Sequence, residues 1–445
     1  MTVELSGHYG YKRLVRTMLP MVATMLVTSI YSIVDGFFIS NFAGSTPFAA
    51  MNIIWPGLAI LVAVGLMIGS GGSALVSKLL GEGRAHKASE TFTMLTCLSF
   101  AAGVVMAVIV FIFMKPICIA LGAEGEMIHY AVTYGRIISL ALPLNLIQME
   151  YQSFYMTAER PQLGTILSIV CGLTNVVLDA IFIIWLGWGL TGAAVSTAIA
   201  MYIGGLFPLI FFSSSRWNTT HLRYTGSRKI DWKSLGKACS NGISEYVGNI
   251  AFNIIAVCYN LQLMKYIGEN GVTAYGIIMY IGFIFGAVFI GFNMGVSQVI
   301  AYNYGAGNKV ELRSLLKKSL VLIALGEIVL TLLSEVAAPG LSRIFVGYDS
   351  DLTALTIHAT RIYMLSFLLC GFNMFTSAWF TALNNGTVSA VAAFTRTLVF
   401  ELAAVFVLPL LMGIDGIWCA VIVAEILAFA LSTALVLSFR RRYGY

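Results

Sequence analysis

Acidic side chains inside apolar segments are the residues of this sequence best suited to chemistry. Eight residues meet this description: Asp35, Glu150, Asp179, Glu245, Glu327, Glu335, Glu401 and Glu425. A carboxylate at the middle of a bilayer costs at least ~2.5 kcal/mol, so such residues usually face the interior of a helix bundle or a cavity. Carboxylates in these positions can carry a proton or bind a small hard cation.

Depth in the membrane singles out four polar residues. Asp35 is the sixth residue from the outer end of the first apolar segment, Asp179 lies seven before the end of the fifth, and Thr197 seven into the sixth. At about 1.5 Å per helical residue, all three come roughly 9–11 Å beneath the outer surface. Asn175 shares a helix face with Asp179, one turn away. We therefore predict a functional cluster of Asp35, Asn175, Asp179 and Thr197; local hydrogen bonding between helices is the alternative for each.

The elements that position these residues are long apolar segments. A helix needs about 20 apolar residues to cross the hydrocarbon core. Twelve segments pass this test: 15–40, 50–79, 90–114, 127–156, 161–186, 190–214, 236–266, 272–304, 314–337, 355–381, 386–411 and 415–439. The chain is 59% hydrophobic and 10% charged, whereas soluble proteins have about 25% charged residues. The segments lack the alternation of β-barrel strands, so we predict an all-α polytopic membrane protein with twelve transmembrane helices, multi-pass in the cell membrane.

Basic residues predict the orientation of these helices. If the chain starts in the cytoplasm, 20 of the 26 Lys and Arg residues fall on the inner side. Cytoplasmic loops carry the excess of basic residues, so both termini are expected to be cytoplasmic. Because the basic residues lie on membrane loops, the net charge of +6 gives no reason to expect a nucleic-acid partner.

The two halves of the sequence are related by an internal repeat. A shift of 224 residues aligns 44–83 with 268–307 and gives 11 identities in 40 positions, including Gly71 with Gly295 and Gly81 with Gly305. We predict two pseudo-symmetric six-helix lobes, 1–214 and 236–445, joined by a cytoplasmic linker at 215–235. Since six is even, both lobes enter the membrane in the same orientation, as in transporters with parallel repeats.

Three short motifs resemble the multidrug and toxic compound extrusion (MATE) family. They are Ser32-Ile33-Val34-Asp35-Gly36-Phe37-Phe38, the Gly81-Glu82-Gly83 turn, and Asn175-Val176-Val177-Leu178-Asp179. The resemblance covers nearly the whole chain. It implies that Asp35, Asn175, Asp179 and Thr197 line a cation site of the first lobe. It also implies an antiporter that exports bulky, often cationic organic compounds in exchange for H⁺ or Na⁺ by alternating access.

Two further features bear on coupling and on substrate contact. Glu245 matches an acid of the family's second lobe, but the tenth segment, around Asn373, lacks the partner acid. This departure favours H⁺ over Na⁺ and leaves Glu245 as a candidate for substrate contact or coupling, with a local structural role as the alternative. Aromatic faces attract cations and Met adapts to varied shapes. The candidates for lining a cavity on this ground, with packing between helices as the alternative, are Tyr31, Phe38, Tyr155 and Met156.

Arg396 and Glu425 lie near mid-membrane about one turn apart in depth, and we predict that they form a structural ion pair. Neither belongs to the predicted coupling cluster.

Other function classes are disfavoured by missing motifs. The sequence has no G-x-x-x-x-G-K-[ST], so ATP is not expected to drive transport directly. It has no H-E-x-x-H, and its five His residues lie in loops or near segment ends, so an intramembrane enzyme is disfavoured. No catalytic residue, cofactor or metal site is predicted, apart from Na⁺ at the cluster. A lipid-linked oligosaccharide flippase, the alternative within the same superfamily, is expected to have more Arg or Lys in its cavity. A channel is disfavoured because the sequence has no re-entrant filter signature and needs no oligomer to build a cavity, and the chain is expected to act as a monomer.

Overall fold

The computed structural model describes residues 4–214, 216–218, 220–226, 230–347 and 349–445. Positions 215, 219 and 227–229 of the predicted linker lie outside the described residues, and so do two of its basic residues, Arg228 and Lys229.

Long helices account for nearly all of the described chain. They are α1 (Tyr11–Ala43), α2 (Thr46–Gly81), α3 (Ala85–Ala120), α4 (Glu126–Thr157), α5 (Pro161–Trp185), α6 (Gly189–Ser213), α7 (Trp232–Tyr266), α8 (Glu269–Gly305), α9 (Lys309–Val346), α10 (Ser350–Met364 with Phe367–Ala382), α11 (Gly386–Met412) and α12 (Ile414–Tyr443). In this part of the chain, eleven helices are long and apolar enough to cross a membrane. The two pieces of α10, bent by 44°, make the twelfth span. The predicted twelve-helix membrane fold is confirmed.

Three helices contain a π-helical turn. These turns are Ile39–Ala43 in α1, Ala180–Trp185 in α5 and Thr395–Glu401 in α11. A π turn adds a residue to the helical repeat and so rotates the faces that follow it; such turns are frequent at functional sites. The first two begin within four residues of Asp35 and Asp179, and the third contains Arg396.

The first six helices (the N-lobe) meet the last six (the C-lobe) along α1, α2, α7 and α8. Helix α1 packs against α8, and α2 packs against both α7 and α8. The helices touch at glycines: a Cβ on Gly81 would overlap the carbonyl oxygen of Tyr302, and one on Gly305 would overlap that of Lys78. Small residues of this kind allow close helix packing in membranes, where lipid is as apolar as the helix surface.

Hydrogen bonds between the lobes lie in the half of the molecule that the basic residues assign to the cytoplasm. Ser77 donates to Gln298 (3.1 Å), Thr157 donates to the same oxygen (3.3 Å), and Asn384 donates to the carbonyl of Ala74 (3.4 Å). Among the described residues, no hydrogen bond joins the outer halves of the lobes. The lobes are therefore held together at the cytoplasmic end. In the outer half of α8, a Cβ on Gly276 or Gly286 would meet nothing within 4 Å, so α8 is open there, as in an outward-facing arrangement.

Residues 4–10, which precede α1, close the cytoplasmic end further. Leu5 and Tyr9 are 1% and 0% exposed. The N–H of Leu5 donates to Glu159 of the N-lobe (2.9 Å), while that of Tyr9 donates to Glu311 of α9 (2.8 Å). We refer to residues 4–10 as the strap, because it is bonded to both lobes.

Candidate cation site in the N-lobe

Helices α1, α5 and α6 bring the four predicted cluster residues together. Both α1 and α6 pack against α5. The Asp35 carboxyl lies beside the carboxyl of Asp179 and the amide of Asn175. Asn175 in turn donates to Thr197 Oγ1 (3.3 Å). The i, i+4 spacing on α5 is what aims Asn175 and Asp179 at the same point.

A hydroxyl adjacent to Thr197 completes the contact between α5 and α6. Ser196 Oγ donates to Asp179 Oδ1 and receives a hydrogen bond from Asn175 Nδ2 (3.5 Å). Ser196 and Asp179 are fully buried. The hydroxyl therefore holds one oxygen of Asp179 in a fixed position and leaves the other free.

Three oxygen atoms of this site are buried without a hydrogen-bond partner: Asp35 Oδ1, Asp179 Oδ2 and Asn175 Oδ1. No Lys or Arg of the described chain forms an ion pair with either carboxyl. Buried polar atoms are almost always satisfied, and an orphan calls for an explanation such as a bound ion or proton. Two carboxyls side by side in a low-dielectric site can hold a proton between them, because both cannot ionise at low cost.

Two residues at the site were not predicted from the sequence. Ser196 directly precedes Thr197, so the depth count places it at the same level but does not show that it bonds Asp179. Tyr134 of α4 is 1% exposed and lies within electrostatic reach of both Asp35 and Asp179. It is eight residues into a helix that enters from the outer side, so the same depth count would have placed it beside the cluster.

Glu245 lies on the face of α7 that looks across the cleft. Ala238 and Gly242 of that face touch α2, and Glu245 follows Gly242 by three residues, just beyond the point of closest approach. Glu245 is exposed, and it forms no hydrogen bond or ion pair with any other described residue. Glu245 is thus accessible from the cleft between the lobes.

The apolar candidates lie in several environments. Tyr31 packs against Gly172 of α5, and Phe38 packs into a core cluster of the N-lobe. Tyr155 and Met156 are 2% and 0% exposed. Tyr155 and Met156 are therefore packed between α4 and neighbouring helices and do not line the open cleft.

Arg396 and Glu425 form an ion pair inside the C-lobe. Arg396 Nε and Nη2 lie 2.9 and 2.6 Å from Glu425 Oε1. The second oxygen of Glu425 accepts from Asn373 (2.6 Å). Since both carboxylate oxygens are bonded, this pair differs from the Asp35–Asp179 site, where oxygens are left free.

No group of three or more His, Cys, Asp or Glu that could hold a metal ion occurs among the described residues. The N-lobe site contains two acids, supplemented by amide and hydroxyl oxygens.

Comparison with known proteins gives consistent matches. The family model described as MatE matches residues 20–181 and again residues 246–407. Multidrug export protein MepA of Staphylococcus haemolyticus is 27% identical over 97% of this chain and 94% of its own length, and MepA of Staphylococcus aureus is 24% identical with the same coverage. A solved structure described as the outward-facing conformation of a multidrug resistance MATE family transporter has a TM-score of 0.91, with 22% identity, over 99% of this chain and 97% of that one. At this identity the structural likeness concerns the fold.

Proposed function

The chain belongs to the MatE family of membrane transporters, and on this premise we propose that it exports small organic compounds, bulky and often cationic, in exchange for protons. Transport proceeds by alternating access between the outward-facing arrangement and one that is open to the cytoplasm. The substrate class is carried over from relatives that are named multidrug export proteins.

The paired carboxyls of Asp35 and Asp179 carry the proposal. Their orphan oxygens are buried in the outer half of the N-lobe, so in the outward-facing arrangement a proton would reach them from the external solution. A proton taken up there neutralises the pair and removes the cost of an uncompensated charge in a low-dielectric site. Uptake on one side of the membrane and release on the other would couple the pair to the movement of the lobes.

Protons are favoured over Na⁺ by the character of the donors. Na⁺ requires several oxygens that converge on it, and Asn175 and Thr197 could supply two, so Na⁺ remains the alternative ion. However, the amide nitrogen of Asn175 points toward the Thr197 hydroxyl. One of the two acceptor positions of that hydroxyl oxygen is therefore already engaged, which makes it a poorer ligand for Na⁺.

The cleft supplies a route for the substrate. Glu245 is exposed on its C-lobe wall and carries a carboxylate that would attract an organic cation. One chain forms both walls, so we propose that a monomer is sufficient, inserted in the plasma or inner membrane with both termini in the cytoplasm.

A flux assay with imposed gradients tests the proposal. Purified protein in liposomes is loaded with a fluorescent organic cation, and a pH gradient and a Na⁺ gradient are applied separately. We expect substrate movement driven by the pH gradient in Na⁺-free buffer, with little change when Na⁺ is added. Movement that requires Na⁺ and persists without a pH gradient would reassign the coupling ion. Absence of substrate movement under both gradients, for a panel of organic cations, would contradict export itself.

A further inference from the structure

A cavity of about 350 Å³ opens at the cytoplasmic end of the lobe junction, far from the N-lobe cation site. Its walls come from the end of α2, the start of α3 and the start of α7, so both lobes contribute. We call it the junction pocket. It is lined by Leu75, Lys78, Leu79, Glu82, Arg84, Lys87, Asp231, Lys233, Ser234 and Lys237.

The junction pocket has an excess of positive charge. Five of its lining residues are cationic and two are acidic. Glu82 is shared between Lys78 (3.6 Å) and Arg84 (3.2 Å), and Asp231 pairs with Lys87 (3.7 Å). Both acids are therefore already engaged.

Lys233 and Lys237 of the C-lobe carry the uncompensated charge. They form no ion pair with any described residue and face the N-lobe cations across the junction. Like charges brought together in this way repel each other, so closing the lobes at this end favours a bound anion.

The start of α3 adds an anion-binding element to the pocket. Helix α3 begins without a side-chain cap, whereas Asp231 caps α7 by accepting from the N–H groups of Lys233 and Ser234 (3.1 Å each). The hydrogen bond from the Ser234 side chain is the largest cause that holds the pKa of Asp231 below its usual value, and the backbone hydrogen bonds add to it. Uncapped N–H groups together with the helix dipole make a helix start a ready site for phosphate.

The position of the pocket matches the headgroup layer of a membrane. Trp232, adjacent to Lys233, is 70% exposed at the first residue of α7, and exposed Trp residues mark the membrane–water interface. Leu79 and Leu75 form the apolar part of the wall, about one and two turns before Glu82 on the α2 side. A pocket with cationic side chains next to apolar ones suits a molecule that has a phosphate attached to a hydrocarbon chain. Basic pockets on the cytoplasmic side of transmembrane helices bind such headgroups.

We propose that the junction pocket binds the phosphate of an anionic phospholipid headgroup and that this anion bridges the two lobes in their cytoplasm-closed arrangement. The bridging phosphate contacts Arg84 and Lys87 on one side and Lys233 and Lys237 on the other. Release of the anion accompanies opening at the cytoplasmic end, because the two sets of cations then separate. The pocket is independent of the coupling ion and of the exported substrate.

Binding to the full-length protein in detergent tests the proposal with three probes: short-chain phosphatidylglycerol, short-chain phosphatidylcholine and inorganic phosphate. The test variant is Lys233→Gln with Lys237→Gln. The control is Lys12→Gln with Arg16→Gln, which removes the same charge from two exposed residues of α1 on the same side of the membrane. We expect saturable binding of phosphatidylglycerol, weakened roughly tenfold or more in the test variant and unchanged in the control.

Each outcome bears on the proposal. Tight binding of inorganic phosphate that depends on Lys233 and Lys237, without any gain from the lipid, would support the phosphate site but assign it a soluble ligand. Equal weakening in both variants would show general surface attraction and overturn the pocket. Equal affinity for phosphatidylcholine, or a test variant that melts like the wild type yet binds phosphatidylglycerol as tightly, would overturn it as well.

Discussion

The chemistry of the N-lobe site depends on single atoms. Asp179 has one oxygen held by Ser196 and one free, and Asp35 has a free oxygen beside it. The Arg396–Glu425 pair is the opposite case, since both oxygens of Glu425 are bonded. An acid with satisfied oxygens serves packing, whereas a pair of acids with free oxygens can accept a proton or an ion.

Replacing either acid of this pair should abolish coupling without unfolding the protein. Asp35→Asn and Asp179→Asn preserve shape but remove the group that accepts a proton. We expect gradient-driven efflux to fall to the level of empty liposomes in each variant, while substrate binding and the melting temperature stay near wild type.

Asp415→Asn is the matched control, because it makes the same change at an exposed acid paired with His358. It should transport normally. Near wild-type efflux by both site variants would show that the cluster is structural.

The sequence could predict which residues meet at this site but not how they bond. Depth counting found Asp35, Asn175, Asp179 and Thr197 because rise per residue is nearly constant along any helix. It assigns no angular position around the axis, so it could not tell that Ser196, adjacent to Thr197, is the residue that bonds Asp179. The π turns of α1 and α5 alter that angle locally, and hydropathy carries no sign of them.

At the scale of elements, the helices were predictable and their irregularities were not. The apolar segment at 355–381 indicates one continuous helix, whereas α10 breaks between Met364 and Phe367 and bends by 44°. The break contains neither Pro nor Gly, the residues that usually mark a kink in a sequence. Similarly, residues 4–10 precede the first apolar segment and have no apolar pattern of their own, yet Leu5 and Tyr9 are buried and anchor the strap.

Loss of Glu311 should release the strap. Glu311 accepts from the N–H of Tyr9 and contacts His8 (2.7 Å), and hydrogen bonds to a charged acceptor contribute about 1.5–3 kcal/mol each. In Glu311→Ala, amide hydrogen exchange of residues 5–9 should therefore accelerate roughly tenfold or more.

The control for this variant is Glu90→Ala, which removes an acid from the cytoplasmic end of α3, where its contact is the exposed His86 (3.7 Å). It should leave exchange in the strap unchanged. Slow exchange in both variants would mean that the burial of Leu5 and Tyr9, together with the hydrogen bond to Glu159, holds the strap in place without Glu311.

At the scale of the whole molecule, two local features recur in both halves of the chain. Gly81 of α2 and Gly305 of α8, equivalent in the repeat, each meet the other helix's backbone. The turns after α4 and α10 contain Glu159 (φ 62°) and Asn384 (φ 56°), the two described residues other than glycine with positive φ. The repeat was visible in the sequence because glycines at closely packed crossings cannot be replaced without moving a helix. The closed state of the cytoplasmic end was not visible, since one sequence encodes every state of the transport cycle.

A single methyl group at the lobe junction should therefore shift the balance between states. In Gly242→Ala the new Cβ would overlap the carbonyl oxygen of Met67 on α2, and such overpacking costs about 1–3 kcal/mol. Gly248→Ala, six residues further along the same helix, is the control, because nothing lies within 4 Å of its Cβ. Ala is the better helix former by about 1 kcal/mol, so the control should be neutral or slightly stabilising.

Spin labels at His86 and Val310, on the cytoplasmic ends of the two lobes, report the outcome: Gly242→Ala should populate longer distances and Gly248→Ala should not. Unchanged distances in Gly242→Ala would mean that α2 and α7 can separate locally, and that the junction of the lobes does not depend on this contact.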